Sequence, residues 1–463
     1  MENLKIPATY LERMERLLGE EYPAFEACYQ SPPHSGLRVN TLKIAADAFQ
    51  ALCPFRLSQL AWCAAGFEID AEEQAGKHPY HSAGLYYLQE PTAMAAAELL
   101  APQPGERVLD LAAAPGGKAT HLAALLQGQG LLVANEVHPR RAWDLAENLE
   151  RCGVSNAVVI QETPARLADC FGPVFDCVLV DAPCSGEGMF RKSASARAEW
   201  SLELVSSCAR RQKAILGVAS RLVRPGGRLL YSTCTFAPEE NEQVIAGFLE
   251  GNPEFEISPC QLKSGFSSGR GEWLPDGCSE KTIATMHHSL RLWPHQAPGE
   301  GHFFTLLTKQ TGETGRIPPS PAVGLSPTDQ AQFQGFCEQA LTQRIDGRLA
   351  RFGDYLYRLP EGSLNLAGLR VIHPGLWLGT YKKNRFDPAH ALAMSLKSDQ
   401  VQRRLDLKSG DPRLQAYLHG ESIACEIAPG WALVTIDGYA LGWVKVAQGI
   451  AKNFYPRGLR RPS

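Results

Sequence analysis

Apolar runs alternate with helix-like segments through the middle of the chain. From residue 107 onward, the runs RVLDLA, GLLVANE, NAVVIQ, FDCVLVDAP and GGRLLYSTC have the length and composition of buried strands. Segments with helical spacing lie between them, among them KATHLAALLQ, RRAWDLAENLERCG and LVSSCARRQKAILGVASRLV. Strands that alternate with crossover helices predict an α/β fold with a parallel, doubly wound sheet, to which HFFTLLTKQ (302–310) adds a last strand.

The pattern changes on both sides of this α/β region. Before it, an amphipathic N-terminal helix precedes short strands, including SGLRVNTLK (35–43). The Gly- and Ser-rich stretch 263–277 predicts a long loop, and the Pro/Gly/Ser-rich stretch 310–327 predicts a linker. A small α+β segment and then short apolar runs cut by glycines follow the linker. The predicted regions are 1–95, 96–310, 326–386 and 388–463.

Composition limits the classes of protein that fit. A hydrophobic content of 44% and a charged content of 21% are typical of a soluble globular protein. The N-terminus carries acidic residues and no secretory signal, and no window approaches the roughly 18 apolar residues of a membrane span. Thirteen scattered cysteines without a C-x-x-C pair predict reduced thiols in the cytoplasm, with neither disulfides nor a zinc site. A net charge of −3 requires that any contact with nucleic acid use a local basic patch.

The residues after the strands predict a cofactor site, because ligands of a parallel sheet bind at the carboxyl ends of its strands. A loop of small residues follows the first strand: Ala112, Ala113, Ala114, Pro115, Gly116, Gly117 and Lys118. Its spacing is neither G-x-G-x-x-G nor that of a P-loop, which disfavours a nicotinamide oxidoreductase or a triphosphate site. Glu136 follows the second strand, where it could bind ribose hydroxyls, and Asp181 follows the fourth. A compact glycine loop with a ribose-binding acid fits S-adenosylmethionine.

Two cysteines follow adjacent strands of the predicted sheet. Cys184 comes after the fourth strand and Cys234 after the fifth, so that both could reach one pocket beside the cofactor. Taken alone, each cysteine could be a small residue of the buried core, a nucleophile, or a residue that assists a nucleophile. Methylation at C5 of a pyrimidine requires a thiolate to add at C6 first, whereas amino-nitrogen methylation does not. Because Pro183-Cys184 stands where nitrogen methyltransferases have a second proline and an aromatic, the turn favours carbon 5.

These motifs are similar to those of the Sun family of RNA cytosine-5 methyltransferases. The resemblance is carried by LDLAAAPGGKATHL, ANE, LVDAPCSGEGMFRK and LLYSTCTFAPEENE. Toward the two ends of the chain, LRVNTLK, YLQEPTAMAAAELLAPQPGERVLDL and ALGWVKVAQGIAKNFYPRGLR resemble the bacterial RsmF type, which acts on 16S rRNA. The resemblance implies a ferredoxin-like N-terminal RNA-binding element, a Rossmann-like methyltransferase core with S-adenosylmethionine as cofactor, and a C-terminal PUA-like domain.

The resemblance also implies roles for the two thiols. The Thr-Cys cysteine, here Cys234, is the nucleophile of the family, and the Pro-Cys cysteine, here Cys184, assists product release. Asp181 would contact both cofactor and cytosine, and Lys118 would order the glycine loop. The family often has an aspartate after the third strand to bind the adenine amino group. This chain has Glu162 in that region, so either Glu162 or a backbone group is expected to make the contact.

The end of the chain is basic and contains aromatic residues, which is typical of RNA-binding surfaces whose cations contact phosphates and whose aromatic rings stack on exposed bases. Its cations are Lys445, Lys452, Arg457, Arg460 and Arg461, with Trp443, Phe454 and Tyr455 between them. Lys382, Lys383 and Arg385 extend this patch in the same hypothesis. The favoured partner is 16S rRNA or the small ribosomal subunit. The alternatives are a transfer RNA methyltransferase and a non-catalytic ribosome-assembly factor. The intact Cys184 and Cys234 disfavour the non-catalytic factor.

Overall fold

The centre of the molecule is a mixed sheet with five parallel strands. A computed structural model describes residues 5–70, 72–261, 263–315, 324–383 and 385–461. We number the parallel strands first to fifth along the chain: Arg107–Asp110, Leu131–Asn135, Ala157–Ile160, Phe175–Asp181 and Val223–Thr233. Their order across the sheet is third, second, first, fourth, fifth, and His302–Lys309 pairs antiparallel with the fifth. The predicted α/β fold is confirmed, and the order reverses between the first and fourth strands, where such sheets bind ligands.

Helices cover both faces of this sheet because their apolar positions recur at helical spacing. In Pro139–Arg151, for example, Ala142, Leu145, Ala146 and Leu149 form the buried stripe. The two faces have separate hydrophobic clusters, one containing Leu122 and Leu145 and the other containing Leu216 and Val244. The main helices of the core are Ala95–Leu100, Gly117–Leu125, Pro139–Arg151, Pro164–Phe171, Leu202–Ala219 and Glu242–Gly251.

The N-terminal region forms a small antiparallel sheet with helices around it. Its strands, in sheet order, are Leu57–Gln59, Gly66–Ile69, Ser35–Val39 and Tyr86–Leu88. Its helices are Ala8–Leu18, Tyr22–Ala27, Ala46–Leu52 and Pro79–Ser82. The predicted N-terminal helix is therefore two helices, the first of which ends at Gly19, whose φ of 53° is in the left-handed region. The strand predicted within 35–43 is Ser35–Val39.

Two further sheets follow the core. Helix Pro327–Ala340 precedes a four-stranded antiparallel sheet of Arg348–Phe352, Tyr355–Leu359, Leu376–Lys382 and Arg385–Pro388. The last sheet contains, in order, Arg404–Leu407, Gly430–Ile436, Tyr439–Ala447, Ile450–Asn453 and Ile423–Ala424, with helices His390–Ser395 and Pro412–His419 beside it. One short strand from this part of the chain, Val371–His373, instead pairs with the third strand of the core.

The stretch 263–277 is more ordered than its composition predicts. Phe266–Ser268 is a strand that pairs with Leu290–Leu292, which in turn pairs with His302–Lys309, so the prediction of a loop is wrong there. Phe255–Ile257 and helix Glu280–Thr285 complete this end of the core. The predicted linker falls partly on 316–323, outside the described residues. No helix within the described residues has the length and apolar composition to span a bilayer.

Candidate active site

A cavity of about 880 Å³ opens at the carboxyl ends of the parallel strands. Its wall includes residues from the ends of the first, second, fourth and fifth strands: Ala112, Ala114, Glu136, Asp181, Cys184 and Cys234. The structure therefore brings together six of the residues singled out in the sequence. Its volume is within the range of about 300–1,000 Å³ that is typical of small-molecule sites.

The thiols of Cys184 and Cys234 are in direct contact. Their Sγ atoms lie 3.3 Å apart, although the residues are 50 positions apart in sequence. The hydrogen bond to Cys234, together with burial, raises the pKa of Cys184 well above the usual range of a thiol. Cys184 therefore holds its proton more tightly than an ordinary thiol, and a protonated Cys184 can donate to the sulfur of Cys234.

Asp181 is held between a lysine and a serine. Lys118 Nζ lies 2.7 Å from one carboxylate oxygen, and Ser232 Oγ donates to the other at 2.7 Å. Burial opposes ionisation of this carboxyl, yet Lys118 and the hydrogen bonds keep the pKa of Asp181 below its usual value. Burial likewise disfavours the charged lysine, whereas Asp181 raises the pKa of Lys118. Both groups are therefore charged in the cavity near neutral pH.

The glycine loop approaches its neighbours too closely for side chains. Gly116 has a φ of 116°, which disfavours any residue with a Cβ. A Cβ on Gly117 would lie 3.2 Å from the ring of Tyr87. Ala112 and Ala114 of the loop line the cavity, and helix Gly117–Leu125 begins at its end. The loop thus brings backbone and a helix N-terminus to the cavity.

Glu136 lies in the cavity, whereas Glu162 is directed elsewhere. The Glu136 carboxylate accepts a hydrogen bond from the backbone N–H of His138 at 2.9 Å and lies 3.1 Å from Arg141. Glu162 instead accepts from the backbone N–H of Arg370 at 2.9 Å, and Pro164 lines the cavity on that side. The structure does not bring Glu162 together with the other expected cofactor residues.

Two buried groups near Asp181 were not identified from the sequence. Both carboxylate oxygens of Asp110 are buried without a hydrogen-bond partner among the described residues. Burial, and then the neighbouring Asp181, raise the pKa of Asp110 to about 7. His302 bonds to Thr92 Oγ1 at 2.8 Å, and burial together with Lys118 lowers the pKa of this histidine to about 4. His302 is therefore neutral beside the Lys118–Asp181 pair. Asp110 could have been identified as a site residue from the sequence, because it lies at the carboxyl end of the first strand.

An arginine of the N-terminal sheet supports the glycine loop. Arg38 is buried, and its Nη2 donates to Thr120 Oγ1 at 2.8 Å and to the carbonyl of Gly117 at 3.2 Å. Its Nε donates to Gln89 at 3.1 Å. Arg38 thereby fixes the first turn of the helix that follows the loop. No local pattern in the sequence pointed to this role, because its partners lie between 51 and 82 residues away.

The basic end of the chain divides into exposed and structural residues. Lys445, Lys452 and Arg457 are exposed, as are Lys382, Lys383 and Arg385 of the preceding sheet. Arg460 donates to the carbonyl of Tyr455, and Arg461 donates to Ser82 Oγ of the N-terminal region. Trp443 and Tyr455 are only 1% and 4% exposed, so their expected stacking on RNA bases is wrong. They are buried because they pack in the hydrophobic cores beneath the last sheet.

Four family models match successive parts of the chain. They are described as the N-terminal domain of 16S rRNA methyltransferase RsmF (residues 6–91), 16S rRNA methyltransferase RsmB/F (97–308), the RsmF rRNA methyltransferase first C-terminal domain (335–396) and the methyltransferase RsmF PUA domain (404–461).

Relatives match along the whole length. The ribosomal RNA small subunit methyltransferase F of Vibrio cholerae is 40% identical and covers 99% of this chain and 98% of its own. That of Erwinia tasmaniensis is 31% identical over 98% and 97%. A solved methyltransferase homolog from Pyrococcus horikoshii is 30% identical, with a TM-score of 0.57 over 66% of this chain and 96% of its own. NSun6 from the same organism, at 22% identity and a TM-score of 0.56, shares the fold.

Proposed function

Because this chain belongs to the RsmF family of 16S rRNA methyltransferases, we propose that it methylates C5 of a cytosine in 16S rRNA, with S-adenosylmethionine as methyl donor. The observation that carries this proposal is the pair of thiols, 3.3 Å apart, beside a charged Asp181 in one cavity. C5 of cytosine is a poor nucleophile until a thiolate adds at C6, so a thiol in the cavity wall is the group that this reaction requires.

The cavity fits S-adenosylmethionine, which carries positive charge on its sulfonium and amino groups. Glu136 and Asp181 give the wall negative charge, and the carboxylate oxygens of Asp110 lack partners behind it. Glu136 would hold the ribose hydroxyls, and the backbone of Ala112–Lys118 would contact the rest of the molecule. We leave Glu162 out of this set because its carboxylate bonds to Arg370. The bound donor supplies an electrophilic methyl group.

In the proposed mechanism the two thiols have different tasks. The sulfur of Cys234 adds to C6 of cytosine, which makes C5 nucleophilic. Cys184 remains protonated beside it. Once C5 has been methylated, a base removes the C5 proton and the bond between C6 and the Cys234 sulfur breaks, and Cys184 can give its proton to the departing sulfur. Lys118 keeps Asp181 ionised, so that this carboxylate can accept hydrogen bonds from the cytosine amino group. His302, neutral and buried, leaves the charge of the Lys118–Asp181 pair unchanged.

The RNA would be bound by exposed cations outside the cavity. Lys445, Lys452 and Arg457 on the last sheet are the candidates for phosphate contacts, and Lys382, Lys383 and Arg385 extend this surface. The target cytosine must leave its stack to reach Cys234, which costs a few kcal/mol and favours loosely paired RNA. A protein with a net charge of −3 can therefore act on RNA through one local patch.

The test is bisulfite sequencing of ribosomal and transfer RNA from a strain that lacks the gene. We expect 5-methylcytosine to disappear from 16S rRNA and to return when the wild-type gene, but not the Cys234→Ala variant, is supplied. Loss from transfer RNA alone would contradict the proposed substrate. Unchanged 5-methylcytosine in all RNA would contradict the proposed reaction.

A further inference from the structure

A single buried carboxylate connects the loops that carry the two thiols. Ser185 and Thr235 directly follow Cys184 and Cys234 in the chain, and both bond to Glu240. The backbone N–H of Ser185 donates to Oε2 at 2.9 Å, its hydroxyl donates to Oε1, and the hydroxyl of Thr235 donates to Oε1 at 3.3 Å. The two hydroxyls are themselves 2.9 Å apart. Glu240 thus contacts the residue next to each thiol.

Glu240 is itself held firmly. Gln212 Nε2 donates to its Oε2 at 2.8 Å and also to the carbonyl of Pro183, the residue before Cys184, at 3.0 Å. The hydroxyl of Tyr231 donates to the backbone carbonyl of Glu240 at 2.6 Å. Glu240 and Gln212 are fully buried, so no solvent competes for these bonds. Burial raises the pKa of Glu240 to about 7, and the hydrogen bonds from Ser185 and Gln212 oppose this rise because they stabilise the carboxylate.

Other contacts between the two loops do not involve this carboxylate. The backbone N–H of Gly188 donates to the carbonyl of Cys234 at 2.9 Å, and Glu187 accepts from the backbone N–H of Phe236 at 2.9 Å. These bonds join the loops at residues that do not bond to Glu240. Loss of the Glu240 carboxylate should therefore shift the thiols relative to one another while the loops remain attached.

We propose that Glu240 is the positioning residue that sets the separation of the Cys184 and Cys234 sulfurs. Its importance for catalysis rests on the proposed function, since adduct breakdown requires Cys184 to stay next to the sulfur bonded to the RNA. Glu240 does not line the cavity, so we assign it no contact with cofactor or cytosine. Its effect is transmitted through Ser185 and Thr235.

The separation of the sulfurs can be measured without RNA or cofactor. Hydrogen peroxide oxidises two adjacent thiols to a disulfide: the S–S bond forms, both S–H bonds break, and the peroxide takes up two electrons and two protons to give two waters. We expect the folded wild-type protein to form the Cys184–Cys234 disulfide, and Glu240→Gln to form it about tenfold more slowly, because bridging demands close and well-oriented sulfurs. Mass spectrometry of the linked peptides follows this pair among the other cysteines.

Glu239→Gln is the matched control. Glu239 is the neighbouring acid and pairs with Arg13 instead of either thiol loop, so its variant should oxidise at the wild-type rate. Thr235→Val removes one bond to Glu240 while retaining the carboxylate, and it replaces Glu240→Gln if the latter fails to fold by circular dichroism. Folded Glu240→Gln or Thr235→Val protein that oxidises as fast as the wild type would overturn the proposal.

Methylation kinetics separate this proposal from the proposed function. For Glu240→Gln we expect kcat to fall about 100-fold with an unchanged KM for RNA, because positioning acts on the reacting groups and not on RNA binding. If Glu240→Gln oxidises slowly but the wild-type protein methylates no RNA, the positioning role stands and the proposed function is refuted. Normal oxidation and normal kcat in an active enzyme would refute the positioning role alone.

Discussion

At the scale of single residues, Cys184 and Cys234 lie side by side in the cavity, and the surroundings of Cys184 make its thiol hold its proton tightly. The hydrogen-bonded contact with Cys234, together with burial, raises the pKa of Cys184 well above the usual value of a thiol. A thiol that keeps its proton is a poor nucleophile, because the thiolate is the reactive form. The contact therefore favours Cys234 as the attacking sulfur and Cys184 as the proton-bearing helper, which agrees with the roles that the family resemblance implied.

This asymmetry predicts opposite results for two alanine variants. Cys234→Ala should lose methyl transfer by at least about 10³-fold and form no covalent RNA complex, because the attacking group is gone. Cys184→Ala should attack normally and accumulate an RNA adduct that survives denaturing gel electrophoresis. Cys208→Ala, which removes a third thiol of the cavity wall, is the control. Adduct in Cys234→Ala and none in Cys184→Ala would reverse the assignment.

At the scale of elements, the last two strands carry both exposed cations and a buried aromatic residue. Lys445 on Tyr439–Ala447 is paired in register with Lys452 on Ile450–Asn453, and both are exposed. Trp443 is buried and donates its indole N–H to the carbonyl of Ala389 at 2.9 Å. Trp443 and Lys445 are two residues apart and so point to the same face of the strand, where the buried aromatic core and the exposed cations follow one another along the chain.

Reversing the charge of the paired lysines should weaken RNA binding without unfolding the sheet. For the double variant Lys445→Glu/Lys452→Glu, the slope of log Kd against log salt concentration should decrease by about 1.5, since two phosphate contacts are lost. Fluorescence anisotropy with labelled RNA measures this slope. The exposed Lys281→Glu variant of the core is the control. An unchanged slope in the double variant would place the RNA contacts elsewhere.

At the scale of the whole molecule, the two ends of the chain share one hydrophobic core. Side chains of the N-terminal sheet, such as Phe67, pack in the same cluster as Val434 of the last sheet and Leu414 of the helix beside it. His390 lies close to this junction, edge-on to Tyr455, and neither ring nitrogen has a hydrogen-bond partner among the described residues. Burial, with a smaller effect of Lys43, lowers the pKa of His390 to about 3.

The buried His390 should make the fold sensitive to acid. Between the unfolded pKa of about 6.5 and the folded pKa of about 3, the unfolded chain binds one more proton, so stability decreases as the pH falls. His390→Phe removes this contribution. On going from pH 7.5 to pH 5, the wild type should lose about 2 kcal/mol more of its unfolding free energy than the variant. Urea unfolding at both pH values measures this difference, and equal losses would show that His390 is not buried and neutral.

Residues far apart in sequence explain most of what the sequence did not reveal. Glu240 and Arg38 support the site through partners about 50 and 80 residues away, and no local pattern marks them. The edge strand Val371–His373 pairs with the core sheet, although it belongs to the region after the predicted linker, which the sequence pattern predicted to be a separate domain. Trp443 and Tyr455 were interpreted as stacking residues because alternation alone does not say which face of the last sheet is covered.

The sequence by itself determined the α/β fold, the glycine loop, Glu136, Asp181 and the two cysteines. It could do so because buried strands are contiguous apolar runs, and the residues that follow parallel strands meet at one edge of the sheet. Only the tertiary structure decided that the sulfurs touch, that Lys118 pairs with Asp181, that Glu162 bonds to Arg370, and that Glu240 connects the thiol loops. Those contacts depend on side-chain packing between distant segments, which periodicity does not encode.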